Sequence, residues 1–336
     1  MEIMTTASII ILAKNEEENI GHCLEAVFSQ KTGFDFEVIV VDSGSTDGTL
    51  DIVRSTPARL FEIPPGDFDH GGTRQYGAEQ ARGEYIVTLV ADATPCDENW
   101  LANLLAPFKE DANIAGVYGM QIPRDDCDPF FAWRLSQWVT GTGEPREHFF
   151  PAPDVIEQLS PEEKRAGLNF DDINSARRAN VLREFPFPRA EYAEDLVWAR
   201  NVLKAGKKLV YAPSAAVHHS HRRTLGYAFK KRFLDQRFFS SYYGLVLYPA
   251  FTSALRAFRQ DTINYLGVAR RLAGLGKRLK WSILAPFFAA AEVSGSFLGI
   301  LSAKEESECP HRAEQKMHRL ALRIAKKYKA SPIRHP

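Results

Sequence analysis

The stretch "YIVTLVADATP" (residues 85–95) is an apolar run that leads into a single carboxylate, Asp92. Its apolar part is short, continuous and rich in β-branched residues, which is typical of a central strand buried on both faces of a sheet. Open α/β sheets bind ligands at the carboxyl ends of their strands. Asp92 is therefore a candidate site residue, and the alternative is an aspartate that only caps a turn or a helix.

The segments around this strand alternate between strand and helix patterns. Strand patterns cover residues 7–13, 36–42, 58–63 and 84–90, and helix patterns cover 15–30, 48–55 and 72–81. Asn15 is a candidate N-cap of the first helix, because acidic and then apolar residues follow it at helical spacing. This alternation predicts an α/β, Rossmann-like, mostly parallel sheet flanked by helices. Asp42 and Asp92 then lie at the same edge of the sheet.

The second half of the chain is less uniform. Further helix or strand patterns cover residues 99–109, 114–123, 170–185, 192–206 and 207–221. Residues 124–170 carry many Pro, Gly, Asp and Glu residues, and this composition favours an irregular insertion on the acceptor side of a site.

The formal net charge of zero hides an asymmetry along the chain. Residues 1–221 hold 20 Lys and Arg against 35 Asp and Glu, whereas residues 222–336 hold 22 against 7. From residue 222 the pattern is helical, basic and apolar, and basic residues alternate with apolar ones over 311–330, as in interfacial helices. We expect two parts, 1–235 and a basic, apolar, helical region at 236–336.

The most apolar stretch is 281–303, although Pro286 and Glu292 interrupt it. A membrane-spanning helix needs about 20 predominantly apolar residues, and this stretch barely meets that length. An in-plane or re-entrant membrane contact, or a hydrophobic helical hairpin, is the expectation. The alternative is a helical subdomain that packs on the catalytic part or on a partner.

Cysteine usage and the N-terminus bear on the compartment. The four cysteines lie far apart without CxxC spacing, so neither a zinc ribbon nor a disulfide framework is indicated. The N-terminus also lacks the pattern of a signal peptide. A reducing, cytoplasmic location is expected.

Two Gly-containing turns are candidates for ligand binding. In "VVDSGSTDGT" (residues 40–49) small residues let a ligand approach the backbone, and Asp42 can accept hydrogen bonds from a base or ribose. In "GGTR" (71–74) glycine N–H groups and the guanidinium of Arg74 suit a phosphate. The alternatives are an ordinary helix-capping turn for the first and a flexible surface loop for the second.

Acidic and imidazole side chains supply the candidate chemistry. Asp92 is a candidate ligand of a hard divalent cation beside a diphosphate. Glu194 and Asp195 begin a helix, where either could act as a general base or simply be a favourable first-turn acid. His218, His219 and His221 follow a strand as either metal ligands or hydrogen-bonding residues.

Taken in order, these motifs resemble family 2 of the inverting glycosyltransferases, which have a GT-A fold, over residues 7–235. The stretches that carry the resemblance are "SIIILAKNEEENIGHCLEAVFSQ" (8–30), "EVIVVDSGSTDGT" (37–49), "GGTRQYGAEQARGEYIVTLVADATP" (71–95) and "YAEDLVWARNVLKAGKKLVYAPSAAVHHSH" (192–221). Within the family the chain is most similar to bacterial rhamnosyltransferases of polysaccharide and O-antigen synthesis.

The resemblance implies a role for each matched residue. The nucleobase and ribose would be held by Ala13, Asn15, Glu16 and Asp42, and Gly72 and Arg74 would lie near the nucleobase or diphosphate. Asp92 would bind Mg²⁺ or Mn²⁺, and His219 would contact the metal or the diphosphate. Asp195 would be the catalytic base, and Glu194 would position the acceptor. One position departs from the pattern. The family presents two aspartates separated by one residue, and Val90 occupies the first of these positions here.

The implied reaction is an inverting, metal-dependent transfer of a sugar, rhamnose from dTDP-rhamnose, to a glycan acceptor linked to polyprenyl diphosphate. The resemblance also implies that the protein is located at the inner face of the cell membrane. It would bind the membrane surface and would not bind nucleic acid. Alternatives are a UDP- or GDP-sugar donor and a sugar-nucleotide nucleotidyltransferase. A non-enzymatic lipid or nucleic-acid binder would explain the basic region but not the ordered carboxylates.

Overall fold

A computed structural model describes residues 5–190, 192–221, 223–304, 309 and 312–328 of the chain. The chain forms two compact units. The first comprises Met1–Asp125, Leu135–Leu159 and Ala166–Ser220, and the second comprises Asp126–Arg134, Ser160–Arg165 and His221–Pro336.

The first unit contains a nine-stranded sheet. Its strands are β1 (Ala7–Ala13), β2 (Phe36–Asp42), β3 (Arg59–Glu62), β4 (Tyr85–Val90), β5 (Thr94–Pro95), β6 (Ile114–Ile122), β7 (Arg146–His148), β8 (Asn174–Arg178) and β9 (Lys208–His218). The strand order is β3-β2-β1-β4-β8-β6-β9-β5, and β7 pairs with β9. β1 to β4 are parallel, whereas β8 runs antiparallel to β4.

The helices occupy both units. They are α1 (Ile20–Phe28), α2 (Thr49–Arg54), α3 (His70–Gln80), α4 (Trp100–Leu105), α5 (Pro129–Ser136), α6 (Pro153–Gln158), α7 (Pro161–Gly167), α8 (Ala179–Glu184), α9 (Glu194–Lys204), α10 (Leu225–Tyr243), α11 (Phe251–Arg271), α12 (Leu275–Ala303) and α13 (Arg312–Lys327). Three short 3-10 helices cover Pro65–Asp67, Ala106–Lys109 and Val139–Gly141.

The apolar run at the start of residues 85–95 forms β4, which lies inside the sheet as predicted. β4 pairs with β1 on one side and β8 on the other, and its residues 86–89 are buried. Because β1, β2 and β4 are parallel neighbours, the residues that follow them meet at one edge. The α/β sheet and the helical region that follows it confirm the predicted fold class.

Three sequence predictions need correction. Asn15 does not cap α1, because the helix begins only at Ile20 with Asn19 as N-cap, and Asn15 instead adopts a left-handed backbone with φ of 55°. Residues 124–170 are not an irregular insertion, since they contain α5, α6, α7 and β7. The boundary near residue 235 lies too late, because α10 packs on α12 in the second unit.

The second unit is a helical assembly built around α12, which packs against α10, α11 and α13. Gly295 and Gly299 let α12 approach α10 closely, since a Cβ atom at either position would lie 2.4 Å from the carbonyl oxygen of Phe229 or Phe233. This packing agrees with the helical-subdomain alternative for 281–303. By length and composition α12 is the one described helix that could cross a membrane, and a buried core helix passes the same test.

Glu292 explains how a charge is accommodated in this apolar helix. Its carboxylate accepts hydrogen bonds from Arg223 at 2.7 Å and Tyr265 at 2.6 Å, and it pairs with Arg134 at 2.7 Å. Burial alone would raise the pKa of Glu292, but Arg232, Arg134 and Arg223 lower it to about 2. The charge is therefore compensated inside the helical unit.

Candidate active site

The loops after β1 and β2 are joined into one structure at the sheet edge. The backbone N–H of Asn15 donates to Ser45 Oγ at 2.8 Å, and Asn15 Oδ1 accepts from the Thr46 N–H at 2.8 Å. The N–H of Glu16 donates to Thr49 Oγ1 at 2.8 Å. The Ala13 carbonyl accepts from the Ser43 N–H at 3.0 Å. The residues assigned to base and ribose thus belong to one hydrogen-bonded double loop.

Asp42 is buried and shapes its own turn. One carboxylate oxygen accepts from the N–H groups of Gly44 and Ser45, both at 2.8 Å, and the other accepts from the Ser45 hydroxyl. Gly44 has φ of 89°, a conformation that favours glycine. The structure therefore shows the turn-forming role of Asp42, and its contact with a nucleotide stays a prediction.

Gly72 and Arg74 have partners inside the protein. The Gly72 N–H donates to the carboxylate of Asp69, the N-cap of α3, at 2.6 Å. Arg74 is buried and donates a short hydrogen bond to Glu194, and its guanidinium lies 3.7 Å from an oxygen of Asp172. The immediate role of Arg74 is to hold Glu194, and a role at the base or diphosphate stays a prediction.

The buried guanidinium of Arg177 holds Asp172 in this arrangement. Arg177 donates to Asp172 and lies over the rings of Phe170, Phe187 and Trp198 at 4.7, 4.5 and 4.3 Å. Burial opposes the charged form of Asp172, but Arg177 and Arg74 outweigh that effect and lower its pKa. Asp172 is thus held as a carboxylate between two arginines.

The surroundings of Asp195 raise its pKa, whereas those of Asp172 lower it. It follows Glu194 in the first turn of α9. Burial raises its pKa well above the ordinary value for an aspartate, and the negative charges of Glu194, Asp172 and Asp171 raise it further. A carboxylate with a raised pKa binds a proton more readily, as a general base must. Ala193, just before the pair, has φ of 54°, which stores backbone strain at this turn.

Asp92 lies beyond the end of β4 among other charged groups. The guanidinium of Arg124 donates to the Asp92 carbonyl and, at 2.9 Å, to the side chain of Asn19. Burial raises the pKa of the Cys23 thiol, Asp92 and Glu16 raise it further, and Arg124 opposes them. Arg124 therefore links the Asp92 backbone to Asn19, the N-cap of α1.

A hydrogen-bond chain from Asp171 through Gln121 orients the His219 ring, whose other nitrogen lies near Asp92. The Gln121 amide donates through its nitrogen to the Asp171 carboxylate, so its oxygen faces His219 Nδ1 at 3.0 Å. An amide oxygen can only accept, so Nδ1 carries the proton, and in the neutral ring Nε2 then presents a lone pair. Nε2 lies 3.6 Å from an Asp92 oxygen.

This arrangement fits a divalent cation. The ligand atoms of Asp92 and His219 lie within 4.8 Å of each other, and a carboxylate oxygen and an imidazole nitrogen can each donate a lone pair to a cation. A carboxylate with an imidazole whose other nitrogen is hydrogen-bonded is a donor set that metals use in proteins. Of the other two histidines, His218 is exposed and His221 begins the second unit.

Comparison with known proteins identifies the family of this chain. The model of the family described as glycosyl transferase family 2 matches residues 8–164. The chain is 30% identical over 232 residues to the O-antigen chain rhamnosyltransferase RfbN of Salmonella typhimurium, a match that covers 67% of this chain and 70% of that protein. This chain belongs to glycosyltransferase family 2.

Two further comparisons extend the family 2 assignment. The O-antigen chain rhamnosyltransferase WbaN of Salmonella anatum is 31% identical over 209 residues, 61% of this chain and 63% of that protein, so the match spans less than two thirds of WbaN. The mannosyltransferase PcManGT of Pyrobaculum calidifontis, solved with GDP-Man and Mn²⁺, superposes with a TM-score of 0.50 at 16% identity, over 96% of this chain and 81% of that chain. This likeness supports the predicted GT-A fold.

Several residues of this family 2 site were missed by sequence reasoning. They are Gln121, Arg124, Asp171, Asp172 and Arg177. Each lies within a strand or a turn whose sequence suits an ordinary structural role. The pairing of β8 with β4 and β6, and of β6 with β9, brings them to the site. The one available signal was "DD" at 171–172 immediately before a strand pattern.

Proposed function

We propose that this family 2 protein is an inverting glycosyltransferase in which Asp195 is the general base. The observation that carries the proposal is the position of Asp195 beside Glu194 in the first turn of α9, where burial and the neighbouring carboxylates raise its pKa. Asp195 takes the proton from an acceptor hydroxyl as that oxygen attacks the anomeric carbon of the donor. The bond from that carbon to the diphosphate breaks, and the nucleoside diphosphate leaves with the electron pair.

Glu194 and Arg74 position the base in this proposal. Arg74 neutralises Glu194, whose charge would otherwise add to the cluster that already includes Asp172 and Asp195. Glu194 also contacts the acceptor. Because Arg177 and Arg74 keep Asp172 charged, its negative charge keeps the proton affinity of Asp195 high.

We assign the leaving group to the region around Asp92 and His219. Asp92 and His219 would hold Mg²⁺ or Mn²⁺, which when bound supplies positive charge to offset the charge that develops on the diphosphate. Arg124, beside Asp92, is a further cation at this point. The double loop of Ala13–Glu16 with Asp42 binds the base and ribose, and Gly72 and Arg74 border the diphosphate.

The proposed donor is dTDP-rhamnose, and the proposed acceptor is a glycan on polyprenyl diphosphate at the inner face of the membrane. Support comes from the relatives named O-antigen chain rhamnosyltransferases and from the basic second unit. The same residues would accommodate a UDP- or GDP-sugar, which is the alternative.

A panel of nucleotide sugars tests the proposal. The shift in melting temperature on donor binding and the metal-dependent hydrolysis of the donor are measured with dTDP-rhamnose and with UDP- and GDP-sugars. With dTDP-rhamnose we expect a higher melting temperature and hydrolysis of the donor. A preference for another sugar nucleotide would show that the donor is that compound and not dTDP-rhamnose. Release of inorganic diphosphate from a nucleoside triphosphate and a sugar phosphate would indicate a nucleotidyltransferase and contradict the proposal.

A further inference from the structure

The first half of α12 carries an exposed apolar row. Leu275, Leu279, Ile283 and Phe287 are 82, 62, 58 and 56% exposed. They follow one another at intervals of four residues, which places them along one side of a helix. Four large apolar side chains exposed in one row are unusual for a surface that faces only water.

Positive charge surrounds this row. Between Asp261 and Glu292 the chain has no acidic residue and five basic ones, Arg270, Arg271, Lys277, Arg278 and Lys280, all of them exposed. At about 100° per residue, Arg278 and Lys280 project roughly 100° to either side of Leu279. The apolar row is therefore bordered by a cation on each side. We call residues 270–287 the α11–α12 corner.

The second half of α12 has a different environment. Glu292 is bound by Arg134, Arg223 and Tyr265, and Gly295 and Gly299 lie against α10. If α12 crossed a membrane, these contacts would have to break and leave buried charges without partners. These contacts therefore hold the second half of α12 inside the helical unit, whereas the first half is exposed.

We infer that the α11–α12 corner docks on the surface of an anionic phospholipid bilayer. An apolar row flanked by cations is the arrangement of helices that lie in the membrane interface, where the apolar side chains enter the acyl boundary and the cations meet lipid phosphates. A polyanion such as nucleic acid would use the cations but leave the apolar row exposed. This inference deepens the proposed function and rests on it for the membrane-held acceptor.

Vesicle flotation of the full chain tests the docking surface without donor or acceptor, so its result is independent of the transfer assay. Vesicles of phosphatidylcholine alone are compared with vesicles that also contain phosphatidylglycerol. Binding is expected on the anionic vesicles and should weaken at high salt. Reversal of three charges, Lys277→Glu, Arg278→Glu and Lys280→Glu, should reduce binding at least about a hundredfold.

A second variant tests the apolar row, and a matched control tests the location. Leu279→Ser with Phe287→Ser should weaken binding to anionic vesicles even at low salt. The control reverses three exposed cations of α13, Lys316→Glu, Arg319→Glu and Arg323→Glu, and should bind nearly as well as the parent chain. Thermal melting checks that each variant is folded.

The inference is overturned if the charge-reversed corner still binds as the parent does, or if the α13 control loses binding instead. It is also overturned if the parent chain binds heparin but no vesicle, because the corner would then be a site for a soluble polyanion. Normal sugar transfer together with absent vesicle binding would refute the docking surface and leave the proposed reaction standing.

Discussion

At the scale of single residues, the proposed reaction depends on two side chains. Asp195 would accept a proton, and His219 would bind the metal. Both owe their chemistry to neighbours. Burial raises the pKa of Asp195, and the charges of Glu194, Asp172 and Asp171 raise it further. His219 presents Nε2 because Gln121 accepts from Nδ1. Changes at these residues should therefore alter measurable properties other than the reaction rate.

His219 is expected to be a metal ligand. His219→Ala and Gln121→Leu should each weaken the binding of Mn²⁺ alone by about 10- to 100-fold, the second because loss of the amide acceptor frees the ring to change tautomer or orientation. Calorimetry or electron paramagnetic resonance measures the affinity. His218→Ala, at the exposed neighbouring position, is the control and should bind Mn²⁺ normally. Equal affinity in all three variants would contradict the assignment.

The raised pKa of Asp195 predicts how stability changes with pH. The folded state holds the proton more tightly than the unfolded state, whose aspartate pKa is about 3.9. The parent therefore loses stability as pH rises from about 4 through the folded pKa. Asp195→Asn should melt at the parent's temperature near pH 4 and at a higher temperature at pH 7. A lower melting temperature at both pH values would refute this, and Asp67→Asn, at an exposed position, controls for general charge effects.

At the scale of helices and strands, the sequence predicted the elements whose pattern is local. The apolar runs of β1, β2 and β4 identify buried strands without any tertiary information. The prediction of Asn15 as an N-cap was wrong because its side chain accepts a hydrogen bond from the Thr46 N–H in another loop. No local sequence pattern reveals such a contact. Gln121 and Asp171 lie 50 residues apart in the sequence, so their contact depends on strand pairing. The same limit hid Asp172 and Arg177.

The contact of α12 with α10 predicts a position-dependent effect of alanine. Gly299→Ala should destabilise the protein by at least about 1 kcal/mol, because its Cβ would lie 2.4 Å from the Phe233 carbonyl oxygen and the helices would have to separate. Gly276→Ala, at the exposed start of the same helix, has no atom within 4 Å. It should stabilise the protein by about 0.5–1 kcal/mol. Thermal or denaturant unfolding distinguishes the two, and a stabilising Gly299→Ala would show that this packing is wrong.

At the scale of the whole molecule, the charge asymmetry found in the sequence corresponds to the two units only in part. The basic region forms the helical unit, but that unit also takes in residues 126–134 and 160–165. Those segments are acidic or mixed in sequence and were assigned to an insertion. Asp128, for example, binds Arg223 at 2.6 Å. Composition identified the basic region, and only the fold shows which distant segments complete it.

The charge network of the helical unit predicts a large effect of one substitution. Glu292→Gln removes the buried charge that Arg134 and Arg223 share, and leaves each arginine with one carboxylate partner, Asp261 or Asp128. The expected loss of unfolding free energy is about 3–5 kcal/mol. Glu98→Gln, in the exposed pair with Lys31, should cost less than about 1 kcal/mol. Equal, small effects in denaturant unfolding would show that Glu292 is not part of a buried network.

The central claim is that Asp195 deprotonates the acceptor. The most direct measurement is the single-turnover rate of sugar transfer by Asp195→Asn, with the affinity for the nucleotide-sugar donor measured on the same sample. The account predicts unchanged donor affinity and a rate reduced by about 10²- to 10⁴-fold or more. A normal transfer rate with normal donor affinity would contradict the role of Asp195.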